Sequence, residues 1–362
     1  MKEDALIDSW VKWQQSVVDE GFAQARRMIN LPSVWQQAQR IKKGATPSEV
    51  VYEEDRLKLL HYRGHEPARH RTPLLFVYAL VNRPYILDLK TGRSVVAHFV
   101  DSGFDTYLVD WGVPTYADRH LTLDDYINGY LENVIDYISE RTGSTQVSVL
   151  GYCMGGTMSA MYTALHQQRI KNLLLLAAGI DFATRDGLLN LWTRSESFDV
   201  DKFIEAFSNC PAEFLQMSFL LLNPVQNLIE KPVNFFQNAD NEKFIDDFLT
   251  TEMWLNDNIP VAGEVFREFV KYLYQQNLLV QNRMPVGKHI VNLQKITCPI
   301  LNIMARNDDL VPCAQSTTFN DLVSSRERKS IIFPAGHIGL AIGSKAQKEV
   351  WPQVCDWLAK HS

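Results

Sequence analysis

What is scarce in this 362-residue chain narrows its function before any motif is considered. There are only five cysteines, at positions 153, 210, 298, 313 and 355. The odd count and the lack of a C-x-x-C pair argue against both a disulfide framework and a thiolate zinc site, and fit a reducing compartment. Positive charge is not in excess: 36 Lys and Arg against 42 Asp and Glu leave a net charge of -6. No global basic field exists to hold nucleic acid. The apolar run "NLLLLAAGI" at 172–180 falls well short of the ~20 residues that cross a bilayer, so no transmembrane segment is expected. The opening "MKEDALIDSW" lacks the basic and apolar blocks of a secretory signal, so a cytoplasmic location is expected. Repeats and low-complexity tracts are missing too. What is abundant is apolar side chain, 46% of the residues, enough for one large α/β domain with an insertion or for two domains.

Apolar and aromatic positions at helical spacing over 6–41 (Trp10, Trp13, Val17, Phe22, Met28, Trp35) predict an N-terminal helical segment, 1–45, ending in the linker "KKGATPSE". From "VVYEEDRLKLLHYR" onward, short apolar runs alternate with helical stretches: "TPLLFVYAL", "FDTYLVDWG", "TQVSVLGYC" and "RIKNLLLLAAG" are strand-like. "TLDDYINGYLENVIDYISERTG" reads as a helix capped by Thr122 and ended by Gly143. Such alternation predicts βαβ units and a mostly parallel sheet with helices on both faces. Over 181–294 the alternation stops, the chain turns helical and aromatic-rich, and strands resume at "CPILNIMARNDDLVP" and "RKSIIFPAGH", followed by a last helix "KAQKEVWPQVCDWLAK". The expected organisation is a core of 46–180 and 295–362, with 181–294 inserted as a largely helical cap.

"VSVLGYCMGGTMSAMYTALH" at 147–166 is strand, tight turn and helix, with Gly151, Cys153, Gly155 and Gly156 spaced as G-x-C-x-G-G. The nucleophile elbow of the α/β-hydrolase fold needs small residues two positions either side of its nucleophile, because the turn is strained and strand and helix approach closely. Here Cys153 occupies the nucleophile's position. The following helix N-terminus would favour a thiolate and place the Met154 N–H toward a developing oxyanion. A small buried cysteine among packing glycines is the plainer alternative, and the flanking strand and helix weigh against it.

In this fold the acid and then the base follow the nucleophile along the chain. "ILNIMARNDDLVP" puts Asp308 and Asp309 just beyond a strand, and "IIFPAGHIGL" puts His337 in the loop after the next. A lone aspartate in a turn is often only a turn former, and a lone histidine is more often structural. Three such signals in the right order, each at the carboxyl end of a strand, raise the odds. Asp110 precedes the nucleophile, so a structural or substrate-facing role is expected for it. The second oxyanion donor comes from the loop after the third strand, here "YALVNRPYILDL", which makes the Val81 or Asn82 amide the candidate.

A cysteine in place of serine changes the energetics of the acyl-enzyme. A thioester keeps the transfer potential that an oxygen ester gives up, so loading from coenzyme A is nearly balanced and passage to a hydroxyl runs downhill. That tilts the reading from hydrolase toward acyltransferase.

From about Thr46 to the C-terminus, the chain resembles the catalytic subunit of polyhydroxyalkanoate synthases, in the short form that works with a second subunit. The resemblance rests on "VYEEDRLKL", "PLLFVYALVNRPYILDL", "DTYLVDWG", "ADRHLTLDDYINGY", "LGYCMGGT", "GEVFREFVKYLYQQN", "ITCPILNI" and "FPAGHIGL". It implies that Cys153 holds the growing chain as a thioester and that His337 is the general base. Asp308 then either orients His337 or helps deprotonate the 3-hydroxyl. The implied substrate is a (R)-3-hydroxyacyl-CoA, most simply 3-hydroxybutyryl-CoA, and the products are polyester and free CoA. No metal or prosthetic group is implied. The implied partners are a second synthase subunit, another copy of the catalytic subunit in a homodimer, and the polyester granule surface. Two departures stand out. Asp309 follows the acid where many relatives carry histidine, and two facing carboxylates would raise one another's pKa. "LLAAGIDF" lacks the Thr-Pro or Ser-Pro usual before the Asp-Phe pair at the cap junction.

Two other classes compete with this reading. One is a cysteine hydrolase, either an intracellular polyester depolymerase or an enzyme of the dienelactone hydrolase type. The other is a non-catalytic granule protein, which the intact Cys153, Asp308 and His337 argue against.

Overall fold

The computed structural model describes residues 43–62, 64 and 68–362. The helices expected over 6–41 lie outside them. The chain divides into two compact units: one is Lys43–Leu222 with Trp254–Ser362, and the described part of the other is Asn223–Met253.

The larger unit is built on an eight-stranded sheet: β1 (Ser48–Glu54), β2 (Leu57–Tyr62), β3 (Leu74–Val77), β4 (Thr106–Asp110), β5 (Val147–Tyr152), β6 (Ile170–Leu176), β7 (Ile300–Ala305) and β8 (Arg328–Phe333). Their spatial order is β1-β2-β4-β3-β5-β6-β7-β8. Only β1 with β2 and β2 with β4 pair antiparallel; every other pairing is parallel. The apolar runs read from sequence fall on these strands. Every residue of β3, β5 and β7 is buried, as strands covered on both faces require, whereas the edge strand β1 alternates between exposed and partly buried positions.

Three helices cover the centre: α1 (Val95–Asp101), α2 (Glu132–Thr142) and α3 (Met154–Leu165). Thr122 and Asp125 exchange side-chain-to-backbone hydrogen bonds at the start of the segment leading to α2. Gly143, at φ 72°, closes it in the left-handed conformation. Between Asp125 and Leu131 the helix is π-wound, which no sequence period disclosed. The single helix expected at the C-terminus is two, Ser344–Glu349 and Trp351–Ala359. Pro352 has no N–H to continue a helix through that point but suits the first turn of a new one.

Strand order reverses at β3, with β4 on one side and β5 on the other, so a crevice opens at the carboxyl ends of the central strands. The helical excursion falls between β6 and β7. It includes Leu188–Trp192, Val200–Phe207, Ala212–Leu221 and Gly263–Glu268, and a small hairpin of Met284–Val286 and His289–Val291 that was not foreseen. Its middle, Asn223–Met253, is the second unit's described part. There Ala239 and Ile245 pack with Phe235, Phe244 and Leu249 in a small cluster, while Val225, Leu228, Ile229, Val233 and Phe236 stay exposed.

Candidate active site

Cys153 ends β5 and begins α3 with φ 55° and ψ -126°, a conformation that costs a non-glycine residue on the order of 1–3 kcal/mol unless its surroundings impose it. The glycines are what impose it. A Cβ on Gly151 would lie 2.4 Å from the Gly156 Cα, one on Gly155 would lie 2.3 Å from the Val77 carbonyl oxygen, and one on Gly156 would lie 2.5 Å from the Ala178 Cβ. The strand, the helix and the neighbouring β3 therefore close on one another only because these three positions lack side chains. The Cys153 N–H is held by the Leu176 carbonyl at 2.9 Å, which leaves the thiol at the crest of the turn.

Asp308 lies beyond β7 and His337 beyond β8. The His337 Nδ1 and Asp308 Oδ2 are 2.7 Å apart. The other carboxylate oxygen, Oδ1, accepts the Leu310 and Val311 N–H groups at 2.9 and 2.8 Å, so the carboxylate is fixed from both sides. Its side chain is fully buried. Burial of the imidazole acts to lower its pKa. The Asp308 charge, the Cys153 sulfur and hydrogen bonds to both outweigh that and raise it from 6.5 to about 10. The histidine thus lies between carboxylate and thiol, the arrangement in which a proton moves from sulfur to nitrogen. Asp309, the neighbour that put the identity of the acid in question, is exposed. Asp110 accepts the Gly112 N–H at 3.0 Å and is a turn former.

Val81 and Met154 both line the cavity that holds Cys153. As the first residue of α3, Met154 has no carbonyl within the helix to receive its N–H. Asn82 is not in the cavity wall. It sits at φ 62° with its side-chain oxygen accepting the Arg83 N–H at 2.6 Å, so of the two loop candidates the structure brings Val81 to the site.

The cavity measures about 180 Å³ and is walled largely by the insertion: Phe182, Trp192, Phe214, Phe219, Phe269 and Tyr274 face it. Phe269 and Tyr274 lie on a π-helical stretch, Phe269–Gln275. An apolar chamber with a thiol in its wall suits an apolar ligand.

Some contributors escaped the sequence reading. The Tyr152 ring stacks on the His337 ring with centroids 5.0 Å apart, and its hydroxyl donates to the His337 carbonyl at 3.2 Å. Its place between Gly151 and Cys153 was the available signal. The cap junction is tied by Asn277, whose side chain accepts the Phe182 N–H at 2.9 Å and donates to Asp181 at 2.8 Å. This bonding anchors the junction without the proline usual there. Of the other cysteines, Cys210, Cys298 and Cys355 are buried, and burial raises the thiol pKa of the last two to about 11 and about 12, whereas Cys313 is half-buried. Among the described residues, no His, Cys, Asp and Glu cluster is placed to hold a metal ion, and no helix is long and apolar enough to cross a membrane.

Comparison with known proteins places the whole chain. The α/β-hydrolase-fold family model matches residues 36–343. The chain is 41% identical over 349 residues to the poly(3-hydroxyalkanoate) polymerase subunit PhaC of Allochromatium vinosum, covering 96% of this chain and 97% of that one. It is 43% identical over 353 residues to the subunit of the same name from Haloferax mediterranei, covering 97% of this chain and 70% of that one. The subunit from Synechocystis matches at 38% over 325 residues, covering 88% and 86%. Among solved structures, a thermophilic esterase from Thermogutta terrifontis shares the fold at a TM-score of 0.51 and 13% identity, covering 87% of this chain and 98% of that one.

Proposed function

Because the chain belongs to the PhaC family of poly(3-hydroxyalkanoate) polymerase subunits, acyltransferases on an α/β-hydrolase fold, we propose that it polymerises (R)-3-hydroxyacyl-CoA through a thioester on Cys153. The observation that carries this reading is the Cys153–His337–Asp308 constellation, whose thiol opens into an apolar cavity. His337 takes the thiol proton, and the Cys153 sulfur attacks the thioester carbonyl of the substrate. The negative charge that develops on the carbonyl oxygen faces the Val81 and Met154 amides. The C–S bond to coenzyme A breaks, the His337 proton passes to the departing sulfur, and CoA leaves as the thiol. A 3-hydroxyl then attacks the Cys153 thioester. Its proton goes to His337 and on to the Cys153 sulfur, a C–O ester bond forms and the C–S bond to Cys153 breaks. Asp308 holds the imidazole and balances its charge.

The compact cavity supports a short acyl unit such as 3-hydroxybutyryl. The implied partners fit the surface: Phe214, Met217 and Leu221 are exposed on Ala212–Leu221, as are Val225, Leu228, Ile229, Val233 and Phe236 of Asn223–Met253. Such surfaces suit a second subunit, another copy of this chain or the polyester granule. The insertion walls the cavity, so its movement gates substrate entry.

The test is CoA release from (R)-3-hydroxybutyryl-CoA by purified protein, with and without a second synthase subunit, alongside Cys153→Ala. The reading expects release accompanied by insoluble polyester, stimulated by the second subunit and lost in the variant. Release yielding only free 3-hydroxybutyrate would instead make the protein a thioesterase.

A further inference from the structure

The loop that carries Val81 does not hold its own shape. Asn82 occupies the left-handed region at φ 62°, which asparagine reaches with the help of a local side-chain hydrogen bond. That bond runs from the Arg83 N–H to the Asn82 side-chain oxygen. The remaining anchors come from far along the chain. The Trp111 indole N–H donates to the Tyr78 carbonyl at 2.8 Å, ahead of Val81. Beyond Val81, the Trp254 indole N–H donates to the Arg83 carbonyl at 2.7 Å. Asp257 accepts the Tyr85 hydroxyl at 3.0 Å and pairs with Arg83 Nε at 3.8 Å and with the Lys43 ammonium. Lys43 also lies over the Tyr85 ring, 5.2 Å from its centroid. Burial acts to raise the Asp257 pKa, but the Lys43 and Tyr85 hydrogen bonds and the Lys43 and Arg83 charges outweigh it and hold the carboxyl below the ordinary 3.8. Trp254 is 6% exposed, so its indole N–H is committed to this one carbonyl.

Trp254 and Asp257 stand where the insertion returns toward the sheet, just before Val261, which lines the same cavity as Val81 and Cys153. We infer that Trp254 and Asp257 are positioning residues for the Val81 amide, fixing the loop after β3 so that this N–H points at the carbonyl oxygen of the reacting thioester. Neither touches the reacting atoms; both act through Arg83 and Tyr85. The segment that walls the cavity thereby also sets the second oxyanion donor. The inference rests on the reading of Val81 as that donor.

The experiment uses the full chain with its second subunit and the variants Asp257→Asn and Trp254→Phe. It measures kcat and KM for CoA release, the rate at which iodoacetamide alkylates Cys153, and the thermal midpoint. Alkylation needs the thiolate but develops no oxyanion, so it separates this loop from the Cys153–His337 pair. A misplaced donor should lower kcat about ten-fold or more, with KM within about two-fold and alkylation within about two-fold of wild type. Tyr85→Phe removes one hydrogen bond with little change in volume and should show a smaller fall of the same pattern; it serves as the test if either main variant fails to fold. Unchanged kcat in a folded Asp257→Asn protein would overturn the inference, and so would kcat and alkylation falling together. If Cys153→Ala still releases CoA, it is the nucleophile assignment that fails instead.

Discussion

The elbow at Cys153 and the loop at Val81 line the same cavity from neighbouring strands, yet they are specified in opposite ways. The elbow is local: Gly151, Gly155 and Gly156 lie within three residues of the cysteine, and the space they leave is what lets β5, α3 and β3 meet. The loop is non-local, its conformation held by Trp111 on one side and by Trp254 and Asp257 on the other. Strain needed at a reacting atom can thus be encoded in a hexapeptide, whereas the aim of a supporting amide is borrowed from the insertion.

The largest effect should come from the elbow. Cys153→Ala should lower CoA release by about 10⁴-fold or more, read from steady-state rates, because the nucleophile and its base act as a unit. Asp308→Asn should lower it by on the order of 10³-fold by freeing the imidazole to adopt the wrong tautomer. The same variant changes the pH response. The folded-state pKa of His337 is raised from 6.5 to about 10, so the stability it contributes is fully present below pH 6.5 and lost as pH rises through 10. The gap in thermal midpoint between wild type and Asp308→Asn should therefore be widest at about pH 6 and shrink steadily as pH rises from 6.5 toward 10. Gly155→Ala pushes a methyl to 2.3 Å from the Val77 carbonyl oxygen. It should destabilise the fold by more than the ~1–3 kcal/mol of ordinary overpacking, measured by denaturant midpoint. If it leaves both stability and rate intact, the contrast between a locally encoded elbow and a borrowed loop breaks. Asp309→Asn marks the small end: its side chain is exposed, and rates should stay within about two-fold.

The same contrast explains what could be read from the chain. Strands buried on both faces announce themselves as continuous apolar runs, so β3, β5 and β7 were legible as such, whereas the exposed edge strands β1 and β8 were read as short runs bounded by turns. The positions of the elbow, Asp308 and His337 were legible because each sits directly after a strand, in fixed order. Which of Val81 and Asn82 lines the cavity was not legible, since it depends on which way a loop held by Trp254 and Asp257 turns. Nor was the π-winding at Asp125–Leu131, which adds a residue per turn without altering which side chains are apolar. Tyr152 was in view, inside the elbow itself, but its stacking on His337 joins residues 185 apart in the chain.

The central claim is that a thioester forms on Cys153. Rapid acid quenching of the protein with (R)-3-hydroxybutyryl-CoA, followed by proteolysis and mass spectrometry, tests it most directly. The account predicts hydroxybutyryl units on the peptide bearing Cys153, removable by hydroxylamine and missing in Cys153→Ala. Acyl label on a serine, or rapid CoA release with no covalent adduct at any time point, would contradict it.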